Sequence, residues 1–248
     1  MRASTIGIFD SGLGGLAVLR RVREINKNVD VMFFADYANA PYGTKSEKTL
    51  IRLVKNDIKR LRRAGACKIL IGCCTASTVY PYLTESERAC SLPIIAPCAN
   101  EAVKACKNGK IGVIGTRATV SSHAFRCEIE KLSGFCAYER EAQELVGLVE
   151  DGERDGAISR QGWQKVYETV LPLKKENVDT LILGCTHFDW LYRSIEECMP
   201  GVRIISSPKE GAMAIMNEFE NEKGFANTYF IGEQRGYRNG KIQTRKNK

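Results

Sequence analysis

The sequence lacks three features that would each indicate a particular class of protein. None of its apolar runs reaches the ~20 residues that a transmembrane helix requires, so we expect no segment to span a membrane. Its first residues, MRASTIGIFDSGLGG, contain no long apolar core of a signal peptide, and we therefore expect a cytoplasmic protein. There is no C-x-x-C pair and there are two histidines, His123 and His187, so a structural zinc site is not expected.

The composition is that of an ordinary folded protein rather than a disordered one. The 248 residues are 44% hydrophobic and 27% charged, a balance that allows a buried core in one or two domains. Ten cysteines are many, but disulfide frameworks are typical of small secreted domains. We therefore expect most of the cysteines to be reduced and to fill the core as small apolar residues. They are Cys67, Cys73, Cys74, Cys90, Cys98, Cys106, Cys127, Cys136, Cys185 and Cys198.

Positive charge is concentrated at the C-terminus. The chain carries a net charge of +8, and residues 235–248 hold six basic residues and no acidic one, which leaves the rest at +2 (8 − 6). A basic tail of this kind can contact nucleic acid or an anionic surface. Because no known nucleic-acid-binding motif is present, we favour a solvated terminus and keep nucleic-acid contact as the less favoured alternative.

Strand-like and helix-like segments alternate along the chain. This rhythm predicts parallel sheets covered by helices. The predicted strands are Thr5–Phe9, Val31–Ala35, Lys68–Gly72, Pro93–Ala96, Lys110–Gly115, Val178–Gly184 and Ile204–Ser207. The predicted helices include Leu13–Asn26, Ser46–Ala64 and Pro208–Glu220.

The pattern occurs twice, which indicates two related units. The run KIGVIG resembles the first strand, and VDTLILG resembles CKILIG; each of the latter two leads into Gly-Cys with a threonine close behind. We predict an α/β fold of two pseudo-symmetric parallel-sheet α/β domains with the active site in the cleft between them. The first domain is expected to comprise residues 1–96 and 208–248, whose helix returns to it, and the second residues 97–207.

The residues directly after the predicted strands are the candidates for chemistry, because ligands of open parallel sheets bind beyond the carboxyl ends of the strands. Cys73 and Cys185 each follow a buried strand at the corresponding place in one repeat. If the two units face each other, these thiols face one cleft from opposite sides. Such a pair suits removal of a proton from one face of a carbon and its return to the other face, and a following helix N-terminus favours a thiolate.

Two further strand-end residues can assist the thiols, and each has a structural alternative. Asp10 can orient a thiol or accept its proton, or it can cap the helix that begins near Leu13. His187 lies two residues after Cys185 and can relay its proton, or it can be a structural residue at a helix start. Asp36 fits a cap or a turn.

The loops near these residues give weaker signals. The spacing of Gly12, Gly14 and Gly15 differs from G-x-G-x-x-G, and no P-loop lysine follows, so the glycines indicate no nucleotide site. Small residues at a helix start can instead let an anionic ligand approach backbone N–H groups. Pro41-Tyr42-Gly43 is typical of a turn whose tyrosine lines a pocket or lies on the surface.

Five short motifs occur in a recognisable order. They are FDSGLGG (Phe9–Gly15), PYG (Pro41–Gly43), CCTAS (Cys73–Ser77), IGVIGT (Ile111–Thr116) and LGCTHF (Leu183–Phe188). Together they resemble the glutamate racemases of the aspartate/glutamate racemase superfamily, over nearly the whole chain to about Gly232.

The resemblance implies a cofactor-independent interconversion of L- and D-glutamate by two acid/base groups, one on each face of Cα. It implies that Cys73 and Cys185 are these groups, that Asp10 supports Cys73 and that His187 supports Cys185. It assigns the substrate contacts to Asp10, Ser11, Tyr42, Gly43, Cys74, Thr75, Thr119, Glu150, Thr186 and His187. It also implies no metal and no cofactor, a homodimer, and a role in supplying D-glutamate for peptidoglycan.

The chain departs from these relatives at three positions. Cys74 stands where they carry a substrate-binding asparagine, and because a thiol is a weak donor and acceptor, we expect a loss of about ten- to a hundredfold in rate or binding. Asp189 replaces a proline and Phe125 replaces a tyrosine; we expect both to adjust activity only slightly. A relative that acts on aspartate or another small amino acid, a decarboxylase or isomerase, and a weakened or non-catalytic binder remain as alternatives.

Overall fold

Within the described residues, the strands form two parallel sheets and one hairpin. The computed structural model describes residues 5–219, 226–231, 234–238 and 241–245, the last two ranges by their backbone alone. The strands are β1 (Thr5–Asp10), β2 (Asp30–Ala35), β3 (Lys68–Ile71), β4 (Ser91–Pro93), β5 (Lys110–Gly115), β6 (Cys136–Glu141), β7 (Thr180–Gly184), β8 (Arg203–Ser206), β9 (Thr228–Ile231), β10 (Gln234–Arg238) and β11 (Lys241–Arg245).

The two sheets repeat one topology. The first has the order β4-β3-β1-β2-β9, and the second, read from its β8 edge, has the order β8-β7-β5-β6. All neighbouring strands within these sheets are parallel. Apart from the added β9, each strand of the first sheet has its counterpart four strands later in the chain. The predicted pair of pseudo-symmetric parallel-sheet domains is therefore confirmed, and β3 and β7 occupy equivalent positions.

Helices cover both sheets. They are α1 (Gly15–Ile25), α2 (Glu47–Ala64), α3 (Cys74–Ser77), α4 (Glu85–Ala89), α5 (Ile95–Ala105), α6 (Arg117–Ser121), α7 (Ala124–Leu132), α8 (Gln143–Glu150), α9 (Arg160–Lys175), α10 (Tyr192–Cys198) and α11 (Ser207–Asn217). Short 3-10 helices occur at Tyr37–Asn39, Tyr42–Thr44, Tyr80–Tyr82 and Thr186–Leu191. Within the described ranges, no helix is both long enough and apolar enough to cross a bilayer.

Helix α2 shows why the sequence forms a helix here and where it stops. The Ser46 hydroxyl accepts a hydrogen bond from the Thr49 N–H and caps the N-terminus, and Gly65 ends the helix with φ of 107°. The buried face repeats at helical spacing and consists of Leu50, Leu53, Val54, Asp57, Ile58 and Leu61. Asp57 is the single ionisable residue on this otherwise apolar face.

One predicted strand is wrong over most of its length. Pro93–Ala96 was expected to be extended, but β4 ends at Pro93 and the chain turns into a helix at Ile95. Ile94 already has helical backbone angles, and its N–H donates to the Ser77 hydroxyl at 3.1 Å. The apolar residues that follow are buried at helical rather than alternating spacing, namely Ile95, Cys98, Ala99 and Ala102.

The other predicted elements have the expected type and differ at their ends by a few residues. Helix α11 was predicted as Pro208–Glu220, and its last predicted residue lies outside the described residues. This helix packs against α1, and α5 packs against α7, α11, β7 and β8. One hydrophobic cluster consequently contains residues of both sheets, such as Ile8 and Ile182. The division of the chain into residues 1–96 with 208–248 and 97–207 stays a prediction.

The basic C-terminal segment forms an antiparallel hairpin of β10 and β11. The side chains of residues 235–248 lie outside the described part of the structure. The predicted contact of this tail with nucleic acid therefore stays an untested alternative.

Candidate active site

A cavity of about 410 Å³ lies beyond the carboxyl ends of both sheets. The residues predicted for the site that line it are Ser11, Tyr42, Gly43, Cys73, Thr75, Glu150, Cys185, Thr186 and His187. Three other predicted residues do not reach the wall, namely Asp10, Cys74 and Thr119. Both cysteines therefore face the same cavity, one from the end of each sheet.

Cys73 directly follows β3 and precedes α3. Its Sγ accepts a hydrogen bond from the Ala76 N–H at 3.5 Å and lies 3.6 Å from the Ser11 hydroxyl. Burial raises the pKa of the Cys73 thiol to about 12, and the charge of Asp10 acts in the same direction. The hydrogen bonds from Ala76 and Ser11 offset only part of this effect. Cys73 is therefore a protonated thiol at neutral pH, suited to donate a proton.

Cys185 follows β7 and has a cationic partner. Its Sγ lies 3.7 Å from Nδ1 of His187, whose Nε2 lies 2.7 Å from Oε1 of Glu150. Burial by itself lowers the pKa of His187, but the hydrogen bonds with Cys185 and Glu150, together with the charges of Cys185 and Asp10, raise it to about 10. The raised pKa favours the imidazolium form of His187, whose Nδ1 faces the Cys185 sulfur.

Asp10 does not line the cavity, but it hydrogen-bonds to Ser11, which lies against Cys73, and to Thr186, which follows Cys185. Its carboxylate is fully buried and accepts hydrogen bonds from the Gly12 N–H at 2.9 Å and the Thr186 hydroxyl at 3.0 Å. Burial raises its pKa, while His187 and these donors act in the opposite direction. The alternative role as a helix cap is not what the structure shows, because Gly14 is the N-cap of α1 and no side chain caps it. Asp10 instead joins the Cys73 and Cys185 sides of the site.

Three threonine hydroxyls form a closed cluster at the edge of the cavity. Thr75 lies 2.8 Å from Thr116 and 3.1 Å from Thr119, and the last two lie 2.9 Å apart. Thr119 thus acts on the wall through Thr75 and Thr116. The hydroxyls of Thr75 and Thr116, which line the cavity, can rotate their protons toward a carboxylate oxygen, so the cluster offers donors to an anionic ligand.

Gln143 lines the cavity and was missed by the sequence analysis. It is the first residue of α8, directly after Ala142 at the end of the unpredicted strand β6. Its Oε1 lies so close to Gly43 that a Cβ on that glycine would be 2.6 Å away. The signal that could have found it is the strand itself: with Cys136–Glu141 predicted as a strand, Gln143 would have been a strand-end residue like the others.

The glycines of the first loop are explained by close packing rather than by a nucleotide. A Cβ at Gly14 would lie 2.8 Å from the Cβ of Thr186, and a Cβ at Gly15 would lie 2.5 Å from that of Asp10. Both distances are shorter than non-bonded carbons allow. The two glycines therefore let the start of α1 pack directly against Thr186 and Asp10.

Cys74 differs from its predicted role as a substrate contact. Its side chain is buried in a hydrophobic cluster that also contains Cys98. Burial raises its pKa well above that of an ordinary thiol, and the nearby Cys98 acts in the same direction. As the first residue of α3, Cys74 points away from the wall to which Cys73 and Thr75 contribute.

The other two unusual positions lie behind the site. The buried Asp189 accepts hydrogen bonds from Arg20 at 3.0 Å, Arg21 at 3.3 Å and Ser206 at 2.5 Å. It thus joins the segment after β7 to helix α1. Phe125 is fully buried in the core. Within the described ranges, no group of three or more His, Cys, Asp or Glu side chains is arranged to hold a metal ion.

Comparison with known proteins agrees with this geometry. Residues 6–215 match the family model described as Asp/Glu/Hydantoin racemase. The glutamate racemase of Aquifex aeolicus is 39% identical over 229 residues, covering 91% of this chain and 87% of that protein. This chain belongs to the Asp/Glu/Hydantoin racemase family.

Solved structures of related racemases share the fold over most of their length. The crystal structure of a glutamate racemase isoform from Bacillus anthracis has a TM-score of 0.82 at 29% identity and covers 93% of this chain and 88% of its own. The crystal structure of the Francisella tularensis glutamate racemase in complex with D-glutamate has a TM-score of 0.79 at 28% identity. It covers 89% of this chain and 83% of its own. In a racemase family, two cysteines that face one cavity are candidates for the groups that remove and return a proton.

Proposed function

We propose that this chain interconverts L- and D-glutamate by proton transfer between the substrate Cα and two cysteines. The observation that carries the proposal is that Cys73 and Cys185 face one cavity from the ends of two equivalent strands. Cys73 is a buried, protonated thiol, whereas Cys185 lies beside the imidazolium of His187. One side of the site is thus prepared to donate a proton and the other to accept one.

The reaction then needs two proton transfers. The Cys185 thiolate takes the Cα proton, so that an S–H bond forms and the electron pair of the broken C–H bond remains on the substrate. Cys73 gives its thiol proton to the opposite face of Cα, which forms the new C–H bond and leaves a thiolate at Cys73. The product has inverted configuration, and the enzyme is now in the protonation state that accepts the other enantiomer.

The cavity wall supports the charge that develops on the substrate. The Cα proton of an amino acid is very weakly acidic, so negative charge on the α-carboxylate has to be stabilised during the transfer. The hydroxyls of Ser11, Thr75 and Thr116 and the backbone N–H groups of the loops that line the cavity are donors of the required kind. Preorganised donors in a site that excludes water are worth more than the same donors in solution.

The decisive experiment is NMR of L-glutamate with the reduced protein in D₂O. We expect the Cα–H signal to disappear together with the optical rotation. Cys73→Ala and Cys185→Ala should each reduce racemisation by at least about 10³-fold. Cys98→Ala is the matched control, because Cys98 is equally buried but does not line the cavity.

Other outcomes identify the alternatives. Exchange with L-aspartate and not with L-glutamate would assign a different substrate within the family. Absence of exchange with either amino acid at high protein concentration would contradict the proposal and favour a non-catalytic binder.

We further propose that the D-glutamate formed serves peptidoglycan synthesis in the cytoplasm and that the enzyme is a homodimer. The resemblance to glutamate racemases supports these statements. Growth of a D-glutamate-requiring bacterial strain on expression of this chain would test the first. Light scattering tests the second, since a dimer has twice the 27.6 kDa of one chain.

A further inference from the structure

Two buried carboxyl groups enclose the phenol of Tyr42. The Tyr42 hydroxyl lies 2.7 Å from Oδ2 of Asp36 and 2.8 Å from Oδ2 of Asp57. The exposed fractions of Tyr42, Asp36 and Asp57 are 1%, 5% and 4%. Neither carboxyl belongs to the acid/base machinery of the two cysteines.

The number of protons in this cluster determines its charge. A phenol has one proton to donate, so it can donate to only one of the two carboxyl groups. Asp36 also accepts from the Asn39 side-chain amide, at 3.0 and 2.9 Å, and is therefore the better-supplied acceptor. The remaining short contact is a hydrogen bond only if Asp57 carries a proton and donates it to the Tyr42 oxygen.

The surroundings of Asp57 favour that protonated form near neutral pH. Burial first, and then the charge of Asp36, raise the pKa of Asp57 to about 7, while the Tyr42 hydrogen bond and the charge of Arg60 act in the opposite direction. The charged and titratable groups facing Asp57 are Asp36 and Tyr42 from the loop beyond β2 and Arg60 from α2 itself. Burial also raises the pKa of Tyr42, so its phenol stays protonated when Asp57 ionises.

Tyr42 connects this cluster to the substrate cavity. Tyr42 and Gly43 both line the cavity. Gly43 packs closely against the second half of the molecule, since a Cβ there would lie 2.6 Å from Oε1 of Gln143 and 2.8 Å from Cβ of Thr116. The Tyr42 side chain is thus the anchor of a wall segment with little room to move, and the anchor is held by Asp36 and Asp57.

We propose that Asp57 is a positioning residue for substrate binding: its neutral form holds Tyr42 and the adjoining cavity wall in place, and its ionisation releases them. When Asp57 loses its proton, two carboxylates face a phenol that has one proton, and one contact becomes repulsive. The substrate is itself an anion that binds beside this wall. Affinity is therefore expected to fall as the pH rises through the range in which Asp57 titrates.

The first test needs no substrate and compares the wild type with Asp57→Asn. Asparagine can donate to the Tyr42 oxygen as neutral Asp57 does, but it does not titrate. A group whose pKa is raised by folding gives stability that is present at low pH and is lost as the pH rises through its folded-state value. The difference in melting temperature, Asp57→Asn minus wild type, should therefore become more positive from about pH 4 to about pH 7 and stay level above that. A difference that does not change with pH contradicts the proposal.

The second test measures function and rests on the proposed glutamate racemisation. The ratio of the wild-type KM to that of Asp57→Asn should rise about fivefold between about pH 6 and pH 8.5, the loss expected for one hydrogen bond, with kcat little changed. Taking the ratio cancels titrations that both proteins share. A constant ratio contradicts the proposal, and a pH-dependent kcat ratio would assign Asp57 to the chemical step instead.

A third variant keeps the test decisive if Asp57→Asn folds poorly. Asp57→Leu fills the same space with no polar contact and leaves the Tyr42–Asp36 hydrogen bond in place. Its KM should have one value at all pH values, higher than that of the wild type at low pH. It should not show the rise in KM that the wild type shows above neutral pH. If the protein racemises neither L- nor D-glutamate, the melting-temperature comparison still tests Asp57. Failure of the proposed function and failure of this inference are therefore distinguishable.

Discussion

Identical side chains acquire different properties at the two ends of the cavity. Burial and the charge of Asp10 raise the pKa of Cys73 and favour its thiol form, and the hydrogen bonds from Ala76 and Ser11 offset only part of this effect. Cys185 has the imidazolium of His187, which Glu150 in turn holds in its charged form. The asymmetry between the two halves of a pseudo-symmetric fold therefore comes from a few side chains rather than from the backbone.

The role of Glu150 can be tested through the pH dependence of the reaction. Glu150→Gln removes the anion that helps to raise the pKa of His187, so the imidazolium should be lost at a lower pH than in the wild type. We expect kcat to fall about tenfold and the alkaline decline of the kcat profile to begin at lower pH. Glu139→Gln is the matched control. Oε2 of Glu139 lies 2.6 Å from Nδ1 of His123, and neither residue lines the cavity. Equal effects of both substitutions would contradict this role.

At the scale of elements, close approach between loops builds the site. Helix α1 begins against the 3-10 helix that follows β7, and Gly14 is the point of contact with Thr186. The same closeness lets Thr186 donate to Asp10. The glycine-rich loop is thus a packing feature that brings the ends of β1 and β7 together.

Gly14→Ala tests this packing. The added methyl group would overlap Thr186 and His187, so we expect a loss of about 1–3 kcal/mol in the free energy of unfolding together with reduced activity. Urea unfolding and initial-rate kinetics measure the two effects. Gly134→Ala is the control, since a Cβ there meets nothing within 4 Å and should change neither quantity appreciably. An unchanged Gly14→Ala protein would show that the loop adjusts without cost.

In the whole molecule, the two halves share a continuous core and the ion pairs of a buried aspartate with two partly exposed arginines. Helices α1, α5 and α11 pack together between the sheets. Asp189, whose side chain is inaccessible to solvent, adds salt bridges to Arg20 and Arg21 of α1. An aspartate at this position therefore serves the contact between the halves.

Asp189→Ala should weaken that contact. The substitution removes the buried acceptor that Ser206 and the two arginines share. Because the arginines are partly exposed, we expect a loss of about 1–3 kcal/mol rather than the larger cost of a fully buried pair. Chemical unfolding provides the measurement. Glu24→Gln, which alters an exposed partner of the same arginines, is the control and should cost less than about 0.5 kcal/mol. Similar losses in both variants would contradict a bridging role for Asp189.

Much of this protein was predictable from local pattern, because neighbouring residues decide it. Apolar runs that end in small polar residues predicted the strands, and their repetition predicted two parallel sheets with Cys73 and Cys185 at equivalent ends. The error at Pro93–Ala96 has the same origin. A short apolar run is compatible with either a strand or the first turn of a helix, and only packing against the second sheet selected the helix.

Local sequence pattern was enough to predict the order of the elements, the strand-end position of both cysteines and the family motifs around them. The tertiary structure decided which side chains meet across the cleft. It moved Cys74 into the core, added Gln143 to the cavity wall and joined Asp36 and Asp57 through one phenol. The physical reason is that strand and helix periodicity is set by near neighbours, whereas burial, charge and protonation depend on residues that are distant in the chain.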